Sequence, residues 1–136
     1  MGVSRLNPGL WCVVLAVAAA GCASEPKPAG SDRELTAVYV GGTLRTDLGG
    51  AIRAPAVAAA AGEALRDRGY AVTGSKVTED AAEVSGRAPG AGRFETVTIS
   101  ARAWGDGTRV RIEYGLWGDQ ARSRALMDAV LSRLGL

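Results

Sequence analysis

The stretch from Val97 to Trp117 constrains the fold more than any other part of the chain. Val97, Ile99, Ala101 and Ala103 alternate with Thr98, Ser100, Arg102 and Trp104. After Asp106-Gly107, Val110, Ile112, Tyr114 and Leu116 alternate with Arg109, Arg111, Glu113 and Trp117. A period of two turns one face of each strand to a core and the other to water. Asp-Gly between two such runs signals a two-residue hairpin. A turn at Asp106-Gly107 sets Gly105 opposite Thr108, and then pairs Ala103 with Val110, Ala101 with Ile112, Ile99 with Tyr114 and Val97 with Leu116. Every inward pair is apolar, and a slip of one residue would turn them all to solvent. The hairpin therefore needs a cover with an apolar stripe of its own.

Two segments supply that stripe. Pro55 suits the first position of a helix, after which Val57, Ala61 and Leu65 recur every four residues beside Ala58 and Ala64. Arg66 and Arg68 suit the negative end of the helix dipole, and Gly69 ends the helix. Its alanines let it lie close to a sheet. Asp119 is the expected N-cap of a second helix, striped by Leu126, Val130 and Leu134, flanked by Ala125 and Ala129 and widened by Met127 and Leu131. Three further strands are expected. Leu35 to Leu48 reads as one long strand with Val38, Val40 and Leu44 on one face and Gly41-Gly42 as a bulge or close approach. Tyr70 to Val77 follows Gly69 directly, and Ala82, Val84 and Ala88 alternate with Glu83, Ser85 and Arg87. Strands with one apolar face need helices on that face alone. The fold class is α+β: an antiparallel five-stranded sheet with two helices on one face, in the order β-α-β-β-β-β-α. Helix-grip and TATA-binding-protein-like folds share that element order, an analogy of topology that carries no function.

The N-terminus carries an address. Arg5 is the sole charge in the first 21 residues, and an apolar run of 11 residues follows from Leu10 to Ala20. That describes a secretory signal, too short to span a bilayer as a mature helix, which needs about 20 residues. The small residues Ala19-Ala20-Gly21 directly before Cys22 are a lipoprotein cleavage site. The Cys22 thiol then takes a diacylglycerol and becomes the first mature residue, with a fatty acyl chain such as palmitate. Cys12 has too little apolar sequence ahead of it for the same role. The expected organisation is a signal peptide at 1–21, the lipidated cysteine and a flexible Pro/Gly/Ser tether at 22–33, and one α+β domain at 34–136.

Composition excludes several chemistries. Removing Arg5 with the signal leaves 15 Lys+Arg against 14 Asp+Glu, a net of +1 that makes no electrostatic case for nucleic acid. There is no histidine, and no cysteine beyond Cys22 remains in the mature chain. The commonest general base, a thiol nucleophile and a Cys/His metal site are thus missing, and no cofactor or metal is expected. Gly69 to Lys76 approaches a phosphate loop, but Ser75 and Lys76 are in the wrong order and run from helix into strand. Ser24-Glu-Pro-Lys27 lies in the tether without its partner motifs. Among the carboxylates, Glu79, Asp80 and Glu83 surround a turn. Glu95 is in phase with Val97 and Ile99, and the hairpin pairing sets it opposite Gly118.

The run from Val110 to Val130, with Gly115-Leu-Trp-Gly118-Asp119 and Ser123 at its centre, resembles a family of small bacterial lipoproteins catalogued as domain of unknown function 3568. Cys22 and the helix end from Leu65 to Gly69 match it as well. Ala58 to Ala61 depart from the family's aromatic-containing pattern. The resemblance spans roughly Val38 to Leu134 and implies the fold and an envelope address but no activity. Gly118, Asp119 and Ser123 also have a structural explanation: a backbone angle closed to other residues, a helix cap, and a hydroxyl bonding back one turn.

On the water-facing side of the hairpin, Trp104 falls opposite Arg109 and Thr96 opposite Trp117, with Arg102 and Arg111 between. Tryptophan among arginines is the composition of a binding surface. The expectation is a non-enzymatic, membrane-anchored envelope lipoprotein that binds another envelope component through Trp104, Arg109, Trp117, Arg102 and Arg111. Ala23 and Ser24 lack the aspartate that retains lipoproteins in an inner membrane, so the expected address is the outer membrane, facing the periplasm. The alternatives are a carrier of a small apolar ligand between helices and sheet, and a carboxylate-dependent enzyme working through Glu95.

Overall fold

The computed structural model describes residues 35–136. The expected signal peptide, the Cys22 lipid site and the tether lie outside the described residues. Eight elements follow one another: β1 (Val38–Val40), β2 (Thr43–Leu48), α1 (Ala54–Asp67), β3 (Ala71–Val77), β4 (Ala81–Arg87), β5 (Thr96–Trp104), β6 (Gly107–Tyr114) and α2 (Gln120–Arg133). The strands form one antiparallel sheet in the order β1-β2-β6-β5-β4-β3.

The sheet has six strands rather than five. Gly41 and Gly42 both take positive φ, +59° and +83°, and form a two-residue turn with Val40 opposite Thr43. Two consecutive glycines permit the doubly left-handed turn that suits a tight hairpin, so the expected single strand folds back on itself. The reversal also reassigns faces. Tyr39 now stands beside the buried Leu44, while Val38 and Val40 share the outer side with Arg45 and Thr43.

The β5–β6 hairpin keeps its faces but changes register. Its loop is Gly105-Asp106, with Trp104 opposite Gly107, so Ala101 meets Val110, Ile99 meets Ile112 and Val97 meets Tyr114. A shift of two residues keeps the parity of each strand, so Val97, Ile99, Ala101, Val110, Ile112 and Tyr114 still face inward. Gly107 is needed elsewhere: a Cβ there would collide with the Leu48 carbonyl of the neighbouring chain segment. Ala103, expected inside, is exposed, and its partner Thr108 is buried with its hydroxyl donating to the Ile52 carbonyl at 2.6 Å. Leu116 and Trp117 lie beyond the strand, because Gly115 at φ +54° turns the chain away.

Both helices cover the inward side chains. α1 packs over β3, β4 and β5, α2 over β2 and β6, and the helices touch each other. Val57, Ala61 and Leu65 of α1 and Leu126, Met127 and Val130 of α2 are buried against Leu44, Val84, Val97, Ile99, Val110 and Ile112. Ala125, expected beside the α2 stripe, is exposed. Small residues bring α1 close to the sheet: a Cβ on Gly86 would sit 3.1 Å from the Leu65 side chain. Gly69, at φ +76°, ends α1, with the Tyr70 amide donating to the Leu65 carbonyl at 2.9 Å. Arg133 ties α2 to Glu63 at 2.6 Å and to Asp67. The two sheet edges differ from a regular strand: β1 has three residues, and β3 is bulged between Val72 and Gly74.

Candidate functional site

The helices occupy one side of the sheet, so the outward side chains of β2, β6, β5 and β4 form an open floor. Alternation along each strand and the cross-strand register together set its pattern. One row runs Asp47, Arg109, Arg102 and Ala81; the next runs Arg45, Arg111, Ser100 and Glu83. The Arg109 guanidinium grips the Asp47 carboxylate with two hydrogen bonds, at 2.6 and 2.8 Å, and lies 3.7 Å from the centre of the Trp104 ring. Its side chain is only 15% exposed. The hydrogen bond from Arg109 holds the Asp47 carboxyl below the ordinary carboxylate range, against a smaller opposing effect of burial, and the same bond raises Arg109 further. Trp104 remains 58% exposed. A groove of about 660 Å³ runs across this floor, bounded by Trp104, Arg102, Arg111, Ser100, Glu83 and Glu113.

Four of the five expected surface residues, Trp104, Arg102, Arg109 and Arg111, therefore meet on one face. Trp117 does not. It belongs to the β6–α2 loop, is 92% exposed, and stands with Phe94 and Leu116 around a separate hollow of about 290 Å³. Thr96 faces Arg87 on β4, not Trp117. Asp47 and Arg45 were missed because their outward position followed from alternation, but their place beside β6 depends on the β2–β6 pairing, which no local pattern encodes.

Glu95 is exposed rather than inward. It sits in a turn, where its carboxylate accepts the Gly92 amide at 3.2 Å. The inward phase breaks because the β4–β5 loop runs up to Glu95 and β5 begins only at Thr96. Among the described residues no three His, Cys, Asp or Glu side chains come together as a metal site, and no helix is long and apolar enough to cross a membrane.

The C-terminal motif forms a structural corner. Gly118, at φ +72°, crosses the β1–β2 turn so closely that a Cβ would lie 2.5 Å from the Gly42 Cα and 2.7 Å from its carbonyl oxygen. A Cβ on Gly115 would meet the Phe94 carbonyl at 2.8 Å. Asp119 caps α2 by accepting the Arg122 amide at 2.9 Å. Ser123 is fully buried, but among the described residues its hydroxyl has no hydrogen-bond partner and makes no bond back along the helix; its amide donates to the Asp119 carbonyl. The family model described as protein of unknown function, DUF3568, matches residues 8–133. The chain belongs to the DUF3568 family. No curated protein matches it. Within DUF3568, this corner gives Gly115, Gly118 and Asp119 of this chain a structural reason that needs no ligand.

Inside, the hydroxyls of Tyr70 and Tyr114 are hydrogen-bonded to each other, with rings edge-to-face at 6.3 Å. Burial, and then the Tyr70 contact, push the Tyr114 hydroxyl well above its ordinary pKa. The pair joins the end of α1 to β6 beneath the helices and lines none of the open-face groove.

Proposed function

We propose that this chain is a membrane-anchored envelope lipoprotein, lipidated at Cys22, that captures another envelope component and performs no catalysis. Its address is the outer membrane, on the periplasmic side. The signal-like first 21 residues and the small residues before Cys22 support the anchor. The observation that carries the binding role is the open face, where an exposed Trp104 lines one groove with Arg102 and Arg111 on the two central strands. Rigid strands hold such side chains in place more firmly than loops do. Trp and Arg are the residues that most often dominate binding energy at interfaces.

Membrane fractionation tests the anchor: the wild-type chain sediments with outer membranes, and Cys22→Ala moves to the soluble fraction. A Cys22→Ala chain that still sediments refutes it. Photo-crosslinking from position 104 in intact cells, read by mass spectrometry, tests the face. The expected result is a discrete adduct that is lost on Arg102→Ala/Arg111→Ala substitution. The same adduct at full yield from the doubly substituted chain would refute the open-face reading.

A further inference from the structure

Resting on that reading of the open face, we propose that the groove binds an acidic glycan, an extended oligosaccharide that carries carboxylates at intervals along its length. The first argument is an imbalance of charge built into the sheet. Arg45 stands directly opposite Arg111, and Arg102 directly opposite Arg109. Like charges facing across strands destabilise a sheet. Asp47 forms a salt bridge with Arg109 and attracts Arg45 at longer range, which leaves Arg102 and Arg111 as the two least compensated of the four. Arg45, Arg102 and Arg111 form no salt bridge among the described residues. Carboxylates arriving from a ligand relieve that repulsion, and a guanidinium binds them through two parallel hydrogen bonds.

The second argument is the chemistry between the arginines. The outer surface of Trp104 offers an apolar plane against which the C–H face of a sugar ring can lie, and the Asp47–Arg109 pair fixes the ring from behind. Ser100 and Thr98 carry hydroxyls along the floor, and Glu83 and Glu113 border it with hydrogen-bond acceptors. Sugar hydroxyls need both donors and acceptors, and this floor supplies both. The third argument is shape. A groove of about 660 Å³ lies in the size range of small-ligand sites, and it is open, so a chain a few rings long lies across it. The two border carboxylates also discriminate. A bilayer of anionic lipid or a nucleic acid presents continuous negative charge, which would meet Glu83 and Glu113 as well as the arginines. A glycan with spaced carboxylates meets the arginines with charge and the glutamates with hydroxyls.

The test uses the full chain in detergent micelles and short oligogalacturonate as the probe, titrated by tryptophan fluorescence and calorimetry. Fully methyl-esterified oligogalacturonate, a polyglutamate peptide and phosphatidylglycerol vesicles are the comparisons. The acid glycan is expected to bind at least about tenfold more tightly than its ester, the equivalent of about 1.4 kcal/mol. Arg102→Ala and Arg111→Ala should each weaken it by a similar factor, and Arg111→Lys should recover only part, because the bidentate geometry is lost. Trp104→Ala should weaken acid and ester alike, whereas Trp117→Ala should change neither. Circular dichroism should be unaltered in all of these variants. Equal affinity for acid and ester, undiminished binding by the arginine variants, tighter binding of polyglutamate or vesicles, or no binding of the acid glycan overturns the proposal. If the glycan fails while crosslinking from position 104 still depends on Arg102 and Arg111, only the ligand class is wrong and the binding face stands.

Discussion

Replacing Gly118 by alanine separates two costs that glycines in this chain bear. At φ +72° an L-alanine pays the left-handed penalty, about 1–2 kcal/mol. Its Cβ would also lie 2.5 Å from the Gly42 Cα and 2.7 Å from the Gly42 oxygen. Those are backbone atoms of a tight turn, and no rotamer change moves them. Either the β1–β2 turn or the crossing before α2 must shift, and overpacking of this kind adds about 1–3 kcal/mol. Gly105 is the control. It has φ +60°, yet a Cβ there would meet nothing within 4 Å, so Gly105→Ala bears the backbone cost alone. Any stabilisation from a stiffer unfolded chain is common to both and cancels. Gly118→Ala should therefore be less stable than Gly105→Ala by about 1–3 kcal/mol, which places its urea midpoint roughly 1 M lower at typical slopes. The Tyr39 hydroxyl also meets that Cβ, but as the end of a side chain it can move, so Tyr39→Ala should not rescue the variant while the Gly42 contacts remain. Equal urea midpoints for the two alanine variants would refute the close-crossing argument and reopen Gly118 as a ligand contact.

Two further expectations follow from the core. Leu65→Ala should cost about 3–4 kcal/mol, and Gly86→Ala about 1–2 kcal/mol because its Cβ would press on Leu65 at 3.1 Å. The double variant should cost less than the sum by about 0.5 kcal/mol or more, since the new methyl enters the space that Leu65 vacates; strict additivity in urea unfolding would contradict the packing. Tyr114 sets an alkaline limit. Its folded pKa lies well above that of an ordinary tyrosine, about 10, so the neutral phenol is the form the fold favours. That stability is fully present below pH 10 and is lost as the pH climbs from there toward the folded pKa. Urea midpoints measured across this range should fall for the wild type and fall less steeply for Tyr114→Phe; parallel slopes would count against a buried phenol.

Local alternation carried most of the fold. Both helices, the inward faces of β4, β5 and β6, and the Asp119 cap were legible because apolar period, capping and turn chemistry act over a few residues. The failures share a cause. Gly41-Gly42 reads locally as a bulge or a close approach; the close approach is there, with Gly118 against Gly42, but the hairpin turn is not foreseen because nothing beside the glycines says whether β2 has a neighbour. Local sequence sets the β5–β6 loop at Asp106-Gly107, whereas the demand on Gly107 comes from Leu48, distant in sequence. The same limit governed the open face. Trp104, Arg102, Arg109 and Arg111 could be placed outward from period alone, whereas the grip of Asp47 on Arg109 requires β2 to lie beside β6. Trp117 was misplaced for a local reason, the positive φ at Gly115 that ends the strand before it.

The two ends of the sheet bear on how such molecules share a surface. A chain tethered as proposed meets its own copies in two dimensions, at local concentrations far above those in solution. An open antiparallel sheet is a template for its own extension wherever a long, straight edge is bare. Here one edge is a three-residue strand, and the other is kinked by its bulge and carries Lys76. Neither offers a neighbour a continuous ladder of hydrogen bonds. Crowded copies can therefore stand side by side as separate units, each with its floor of arginines unobstructed, instead of zipping into one sheet.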